Sequence, residues 1–331
     1  MYKVSVVLST YNGEKYIYKQ LASIYNQIDD IHEILIYDDC SKDRSMDILY
    51  ECLSLFKNNT VKIVKHLCNQ GLAAARLTGL MNSTGDYVWF IDSDDWIDSN
   101  STIILSKIIK EYEPDIIQFS HVEEIDNGKI KRINKGTTLE KILWQKTYPC
   151  IWRNVFKRHY LLDNEIKPII GINYSEDFVM TSRAYALTKN IILLPNSYLY
   201  YYNNTNRSSY THNVNLKSSY NCIDGCNSIF SFYVSHKLLA IVKPYFIYTY
   251  LYKYVDISNK DSNYIGKEIA YDNMIKMYPK LLKSANFLIK NKQTWLLYFL
   301  LRLYRIIRFN LLYDFFNHNK LRIISNITSV H

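Results

Sequence analysis

Short apolar runs alternate with helical stripes along the first 120 residues. Lys3–Leu8 reads as a buried strand, followed by a helix with Ile17, Leu21, Ile24 and Ile28 on one face. Glu33–Tyr37 is a second strand; after Ser41, the positions Met46, Leu49, Leu53 and Phe56 mark a second helix. Val61–Lys65, the alanine-rich Leu72–Met81 and Tyr87–Ile91 continue as strand, helix and strand. A helix near Ser99–Tyr112 and a strand at Asp115–Ser120 complete the series on either side of Pro114. This alternation predicts βαβ units around a parallel sheet.

Beyond that point the rhythm loosens. Asp126-Asn127-Gly128 signals a hairpin between two short strands. Ser175 is placed to cap a helix from Glu176 to Leu187. Ile191–Leu194 and Tyr198–Tyr202 read as extended on either side of Pro195, before the polar run Asn203–Ser209. From about Asn215 the chain reads mostly helical and rich in tyrosine. The expected organisation is an α/β domain over 1–210, divided into halves 1–96 and 97–210, then a helical, basic region over 211–331.

In an open parallel sheet, ligands bind beyond the carboxyl ends of the strands. Three predicted strands end there in polar clusters: Ser9-Thr10-Tyr11-Asn12, Asp38-Asp39 and Asp92-Ser93-Asp94-Asp95. Acids gathered at strand ends repel one another, and a cation is the usual remedy. Asp92 and Asp94 are two apart, so in an extended segment they point the same way and suit a hard divalent ion. The competing reading is that Asp94 or Asp95 caps the next helix. One glycine in Ser9-Thr10-Tyr11-Asn12-Gly13-Glu14 does not make a dinucleotide cradle, and no phosphate-binding P-loop motif occurs. Arg76, a lone cation on a small-residue helix, is the candidate for phosphates; a structural ion pair is its alternative use.

Taken together, Val4-Ser5-Val6-Val7-Leu8-Ser9-Thr10-Tyr11-Asn12, Ile34–Asp43, Asn69–Arg76 and Thr84–Trp96 resemble the family 2 glycosyltransferases of GT-A fold. Tyr174–Met180 extends the resemblance toward residue 202. It implies an inverting transferase that uses a nucleotide-activated sugar, most simply UDP-linked, with Mg²⁺ or Mn²⁺. By the same resemblance, Tyr11 stacks on the base with Thr10 beside it, and Asp39 accepts the base's ring N–H. Arg76 stands on the base or phosphate side. Asp92, Ser93 and Asp94 serve the ribose and diphosphate, with Asp94 and Asp92 on the metal, and Asp177 is the catalytic base. A single displacement needs one carboxylate to take the acceptor's proton and no covalent intermediate. Of the adjacent Glu176 and Asp177, one is expected to face the site and the other to orient the helix end.

There are departures from the pattern. Cys40 stands where a small glycine is common, and Leu77 where a polar residue is. Trp152-Arg153-Asn154 lacks the lysine of a similar acceptor-side motif, leaving Trp152 as a lining residue of the acceptor cleft. Arg207 lies in a loop expected to close over the donor. A nucleotidyltransferase and a non-catalytic sugar-nucleotide or glycan-binding module are the alternatives. Retention of Asp39, Asp92, Asp94 and Asp177 together speaks against the second.

Charge changes the picture at one end only. The net charge is +9, with 48% hydrophobic residues, as in a globular protein. From Lys283 to His331, eight basic residues face the single acid Asp314, a local +7. Phe287–Phe316 sets Arg302, Arg305 and Arg308 at three-residue intervals among large apolar groups, which suits the headgroup plane of an anionic membrane. A helix packed on the catalytic domain or a second subunit is the alternative, and nucleic acid fits poorly. No run reaches the ~18 apolar residues of a membrane span, and Met1–Leu8 is too short for a signal peptide. The expected location is cytoplasmic, at the inner face of the membrane. The six cysteines form no CxxC pair and read as reduced thiols; Cys222 and Cys226, four apart, share a helix face without a matching His or Cys pair for zinc.

Overall fold

The computed structural model describes residues 2–27, 31–53, 61–125, 128–134, 136–143, 149–188, 190–207, 209, 212 and 214–238. Beyond these it describes 248, 257, 284, 287, 288, 291, 293–304 and 321–323. Ile28, Phe56, Asp126, Asn127, Arg305 and Arg308, all named above, lie outside the described residues.

The elements run β1 (Val4–Thr10), α1 (Ile17–Tyr25), β2 (Glu33–Asp38), α2 (Ser45–Leu53), β3 (Val61–Lys65), α3 (Leu72–Asn82) and β4 (Tyr87–Asp92). They continue β5 (Trp96–Ile97), α4 (Ser101–Tyr112), β6 (Ile116–Ile125), β7 (Lys129–Ile133) and α5 (Leu139–Leu143). A 3-10 turn at Ile151–Arg153 leads into β8 (Asn154–Lys157) and α6 (Arg158–Asp163). Last come α7 (Glu176–Leu187), β9 (Ile191–Asn203), α8 (Leu216–Ser235) and β10 (Leu321–Ile323). One sheet carries them in the order β10-β9-β6-β8-β4-β1-β2-β3, with β5 paired to β9 and β7 to β6. The four strands β3, β2, β1 and β4 are mutually parallel; β8 is antiparallel to both β4 and β6.

The parallel core explains the apolar runs. β1, β2 and β4 are covered on both faces, so nearly every side chain is buried. One apolar cluster joins Val6, Leu8, Ile34, Ile36 and Trp89 to α1 and α4. The other joins Val7, Leu35, Val88 and Phe90 to α3, α7 and α8. α3 lies so close to β1 that a Cβ on Gly79 would stand 2.2 Å from Val7 Cγ1, so only glycine fits there.

Three expectations change in detail. The two extended pieces around Pro195 are one strand: pairing shifts from Phe119↔Leu194 to Ser120↔Tyr198, and residues 195–197 form a bulge. Pro195 has no N–H to lose from the ladder there, and its carbonyl accepts from Ser120 Oγ at 2.6 Å. Ser175 sits at the start of α7 but makes no side-chain cap; its hydroxyl donates to the Asn221 carbonyl at 2.9 Å, tying α7 to α8. The C-terminal region is not all helix, since β10 pairs parallel with β9.

Candidate functional site

The tips of β1, β2 and β4 lie side by side, because Thr10 pairs with Asp38 and Ser9 with Asp92. The two loops that follow β1 and β2 interlock through their short polar side chains. Asn12 N–H donates to Ser41 Oγ, Gly13 N–H to Ser45 Oγ at 2.8 Å, and Lys42 N–H to Asn12 Oδ1. Tyr11 stands out of this platform at 45% exposure. Thr10 is buried, and Ser9 Oγ, Thr10 Oγ1 and Asp38 Oδ1 are buried with no hydrogen-bond partner among the described residues. Cys40 adopts φ +66°, the left-handed region where the expected glycine would cost nothing.

Asp39 is occupied by its own fold. Its Oδ1 accepts from Gln70 N–H and from His66 Nδ1, both at 2.9 Å, and Oδ2 accepts from Gly71 N–H at 2.7 Å. The carboxylate thereby caps the start of α3, together with Asn173 Oδ1 on Ala73 N–H. Since a carboxylate accepts about four hydrogen bonds, one acceptor position remains.

Arg76 is 2% exposed and binds three carboxylates at once. Its Nη2 donates to Asp92 Oδ1 at 2.6 Å, and its Nη1 to both Asp177 Oδ1 at 2.6 Å and Glu176 Oε1 at 2.9 Å. The guanidinium, expected on the base or phosphate side with a structural ion pair as the alternative, ties the end of β4 to the first turn of α7. Glu176 and Asp177 do not divide the labour as expected, since both reach the same nitrogen. Burial works against the charge on Arg76, but the three acids outweigh it and hold its pKa above the ordinary value. One cation cannot neutralise three acids, of which Glu176 is buried and Asp92 and Asp177 are partly exposed. Burial and then Asp177 push Glu176 up to about 8. Burial also raises Asp177, with Arg76 holding it back.

The Asp92–Asp95 run is not extended throughout. β4 ends at Asp92, and the chain turns so that Asp95 N–H reaches the Asp92 carbonyl at 3.2 Å. The strand alternation expected for Asp92 and Asp94 therefore does not apply, and each acid has its own partner. Asp92 takes Arg76. Asp94 Oδ2 accepts from Asn206 Nδ2 at 2.7 Å. Asp95 is buried, with Oδ2 accepting from Tyr200 Oη and Oδ1 from Asn203 N–H, both at 2.7 Å. Neither Asp94 nor Asp95 caps a helix, because β5 comes next. Burial is the chief cause that pushes Asp94 up to about 6, and among the described residues no cation pairs with it. Ser93 lies between them, half-buried.

A divalent ion fits Asp94 in one respect: this acid is held by a neutral amide where a cation would relieve it. No group of three or more His, Cys, Asp or Glu able to hold a metal occurs among the described residues, so an ion would take at most Asp92 and Asp94 from such side chains. No disulfide joins the described cysteines, Cys222 and Cys226 included. Trp152 is not a cleft residue. It is 4% exposed, its ring stacked on Tyr200 at 4.5 Å and on Tyr202 at 5.5 Å. Reading the sequence alone missed Asn206, His66 and the grip of Glu176 on Arg76, because each depends on a contact across 27 to 112 positions.

A sheet of this order, with parallel strands between helices and acids at their tips, defines an α/β protein. The family model described as "Glycosyl transferase family 2" matches residues 5–186, more than half of the 331-residue chain, and the chain belongs to that family. It is 31% identical over 214 residues to a poly(ribitol-phosphate) beta-glucosyltransferase of Bacillus spizizenii, matching 60% of this chain and 32% of that protein. It is 29% identical over 146 residues to the Escherichia coli UDP-Glc:alpha-D-GlcNAc-diphosphoundecaprenol beta-1,3-glucosyltransferase WfgD, over 44% of this chain and 54% of that one. The chain thus spans about a third of the Bacillus relative and about half of WfgD. The crystal structure of Staphylococcus aureus TarS 1–349 in complex with UDP-GlcNAc superposes with a TM-score of 0.62 at 20% identity. That match covers 94% of this chain and 91% of that one. The fold is the GT-A glycosyltransferase fold.

Proposed function

We propose that the protein is an inverting glycosyltransferase that moves one sugar from a UDP-linked donor to a hydroxyl of a glycan or lipid-linked glycan. The observation that carries this reading is Arg76, whose two nitrogens link Asp92, at the end of a sheet strand, to Asp177, at the start of α7. Donor-side and acceptor-side acids thereby face one centre. Bound UDP-GlcNAc in the TarS fold neighbour and the UDP-Glc and diphosphoundecaprenol in WfgD's name support the donor and acceptor classes.

In this reading Tyr11, exposed beyond β1 and next to Thr10, stacks on the base. The remaining acceptor position of Asp39 takes a ring N–H. Asp92, Ser93 and Asp94 face ribose and diphosphate, and Asp94 with Asp92 holds Mg²⁺ or Mn²⁺. Such an ion supplies charge neutralisation on the leaving diphosphate, worth several kcal/mol. Asp177 takes the proton as the acceptor oxygen bonds to the anomeric carbon and the bond to diphosphate breaks. Burial makes it a stronger base than a surface aspartate, while Arg76 keeps it ionised. Arg76 serves the donor through the acids it orients.

The partner at the other end is an anionic membrane surface, met through residues 287–316. Phe287, Trp295, Phe299, Leu300 and Leu303 are exposed there, beside the exposed Arg302. No helix among the described residues is long and apolar enough to cross a membrane.

Screening nucleotide sugars by thermal shift with and without Mn²⁺ tests the donor assignment. Stabilisation follows RT ln(1 + [L]/Kd). A UDP-sugar that stabilises the protein only with Mn²⁺, and from which sugar is released, is the expected result. Silence across the panel, or pyrophosphate chemistry, contradicts it.

A further inference from the structure

We propose that Asn206 supplies the divalent-ion site with a third protein oxygen, an inference that rests on the reading of Asp94 as an ion ligand. The Asn206 carboxamide donates to Asp94 Oδ2 at 2.7 Å. Rotating the amide by half a turn exchanges nitrogen for oxygen in the same place and turns the donor into an acceptor. Adjacent oxygens around an octahedral ion with bonds of 2.0–2.1 Å lie about 3 Å apart. The existing spacing between the Asn206 amide and Asp94 Oδ2 is therefore close to the edge of such an octahedron. The amide stands where a cation's ligand belongs.

The backbone beneath Asn206 is already fixed on the acidic turn. Asn203 N–H donates to Asp95 Oδ1 at 2.7 Å, and Thr205 N–H and Oγ1 both donate to Asn203 Oδ1. Asn204 N–H donates to the Glu124 carbonyl at 3.0 Å, fastening the segment to β6. The loop after β9 and the turn after β4 thus form one unit, with Asp95 and Tyr200 as its buried connection. Turning the amide on this held backbone sets its oxygen beside Asp94 Oδ2 and makes the pair of oxygens that an ion requires. As a donor the same amide gives the half-buried Asp94 carboxylate a hydrogen-bond partner.

The test is a Mn²⁺ titration of the full chain in the presence of UDP, reading free Mn²⁺ by electron paramagnetic resonance, with Mn²⁺-induced thermal stabilisation as a second readout. Asn206→Ala is expected to weaken Mn²⁺ about tenfold, the lower end of the loss typical for groups around a bound metal. Asn206→Asp keeps an oxygen in place and adds charge, so it is expected to bind Mn²⁺ at least as tightly as the unaltered protein and to gain more stability from it. Mn²⁺ affinity within twofold in Asn206→Ala, or a loss in Asn206→Asp equal to that in Asn206→Ala, overturns the proposal. Asp94→Ala separates the two levels. If it abolishes binding while both Asn206 variants leave it unchanged, only the role of Asn206 falls. If it leaves binding unchanged, the assignment of the ion to Asp94 falls as well.

Discussion

Arg76 concentrates charge where there is almost no water, and its consequences are measurable as pH dependence. Glu176, pushed up to about 8, keeps its proton in the folded chain at pH values where an unfolded glutamate, near 4.3, has lost it. Its contribution to stability is therefore complete below about pH 4 and fades as pH rises toward 8. Glu176→Gln removes that titration, so its melting temperature is expected to fall less between pH 5 and 8 than that of the unaltered protein. Parallel melting curves for the two proteins would contradict this. Asp94, pushed up to about 6, sets a second pH effect of opposite sense. Protons compete with the ion, so Mn²⁺ affinity is expected to drop about tenfold per pH unit below 6 and to level off above 7, as calorimetric titration would show. From sequence Arg76 was visible as a lone cation, but its partners stand 16, 100 and 101 positions away, so the salt bridges were not.

At the scale of elements, α3 is the part most constrained by what touches it. Gly71 begins it at φ +89°, where an added Cβ would stand 2.2 Å from the Asn173 amide that caps the helix. Gly71→Ala therefore combines backbone strain with a collision and is expected to cost roughly 2–4 kcal/mol. Gly128→Ala, at φ +68° with nothing within 4 Å, meets the strain alone and should cost about 1 kcal/mol. Denaturant melts that give equal losses for the two would remove the collision argument. Elements with their own periodicity or a buried apolar run were legible: β1 to β4, α3 and α7 fall within a residue or two of expectation. β5, β8, α5 and α6 were not, because they have between two and six residues and exist through pairing or packing with distant segments. β9 was split at Pro195 because proline normally ends a strand, and only the bulge opposite Phe119 and Ser120 shows how the ladder passes it.

For the whole molecule, one sheet places the loops after β1 and β2, the acid cluster after β4 and the first turn of α7 together. The segment 293–304 adds a surface with apolar groups on both sides: Leu297 and Leu301 are buried in the core, while Trp295, Phe299 and Leu303 face outward. Arg302 is the charged residue within 293–304, and the longer stretch Lys283–His331 carries +7, a charge that an anionic bilayer complements. Flotation with vesicles containing anionic lipid is expected to carry the protein up at low salt, and Trp295→Gln combined with Phe299→Gln to release it without lowering the melting temperature. Equal binding to neutral vesicles would contradict the charge argument. The central claim, that Asp177 takes the acceptor's proton beside a donor held at Asp92 and Asp94, is tested most directly by measuring turnover and donor affinity together in Asp177→Asn. The account predicts turnover lower by about 10²–10⁴-fold with UDP-sugar affinity kept within a few-fold; turnover within threefold of the unaltered protein would contradict it.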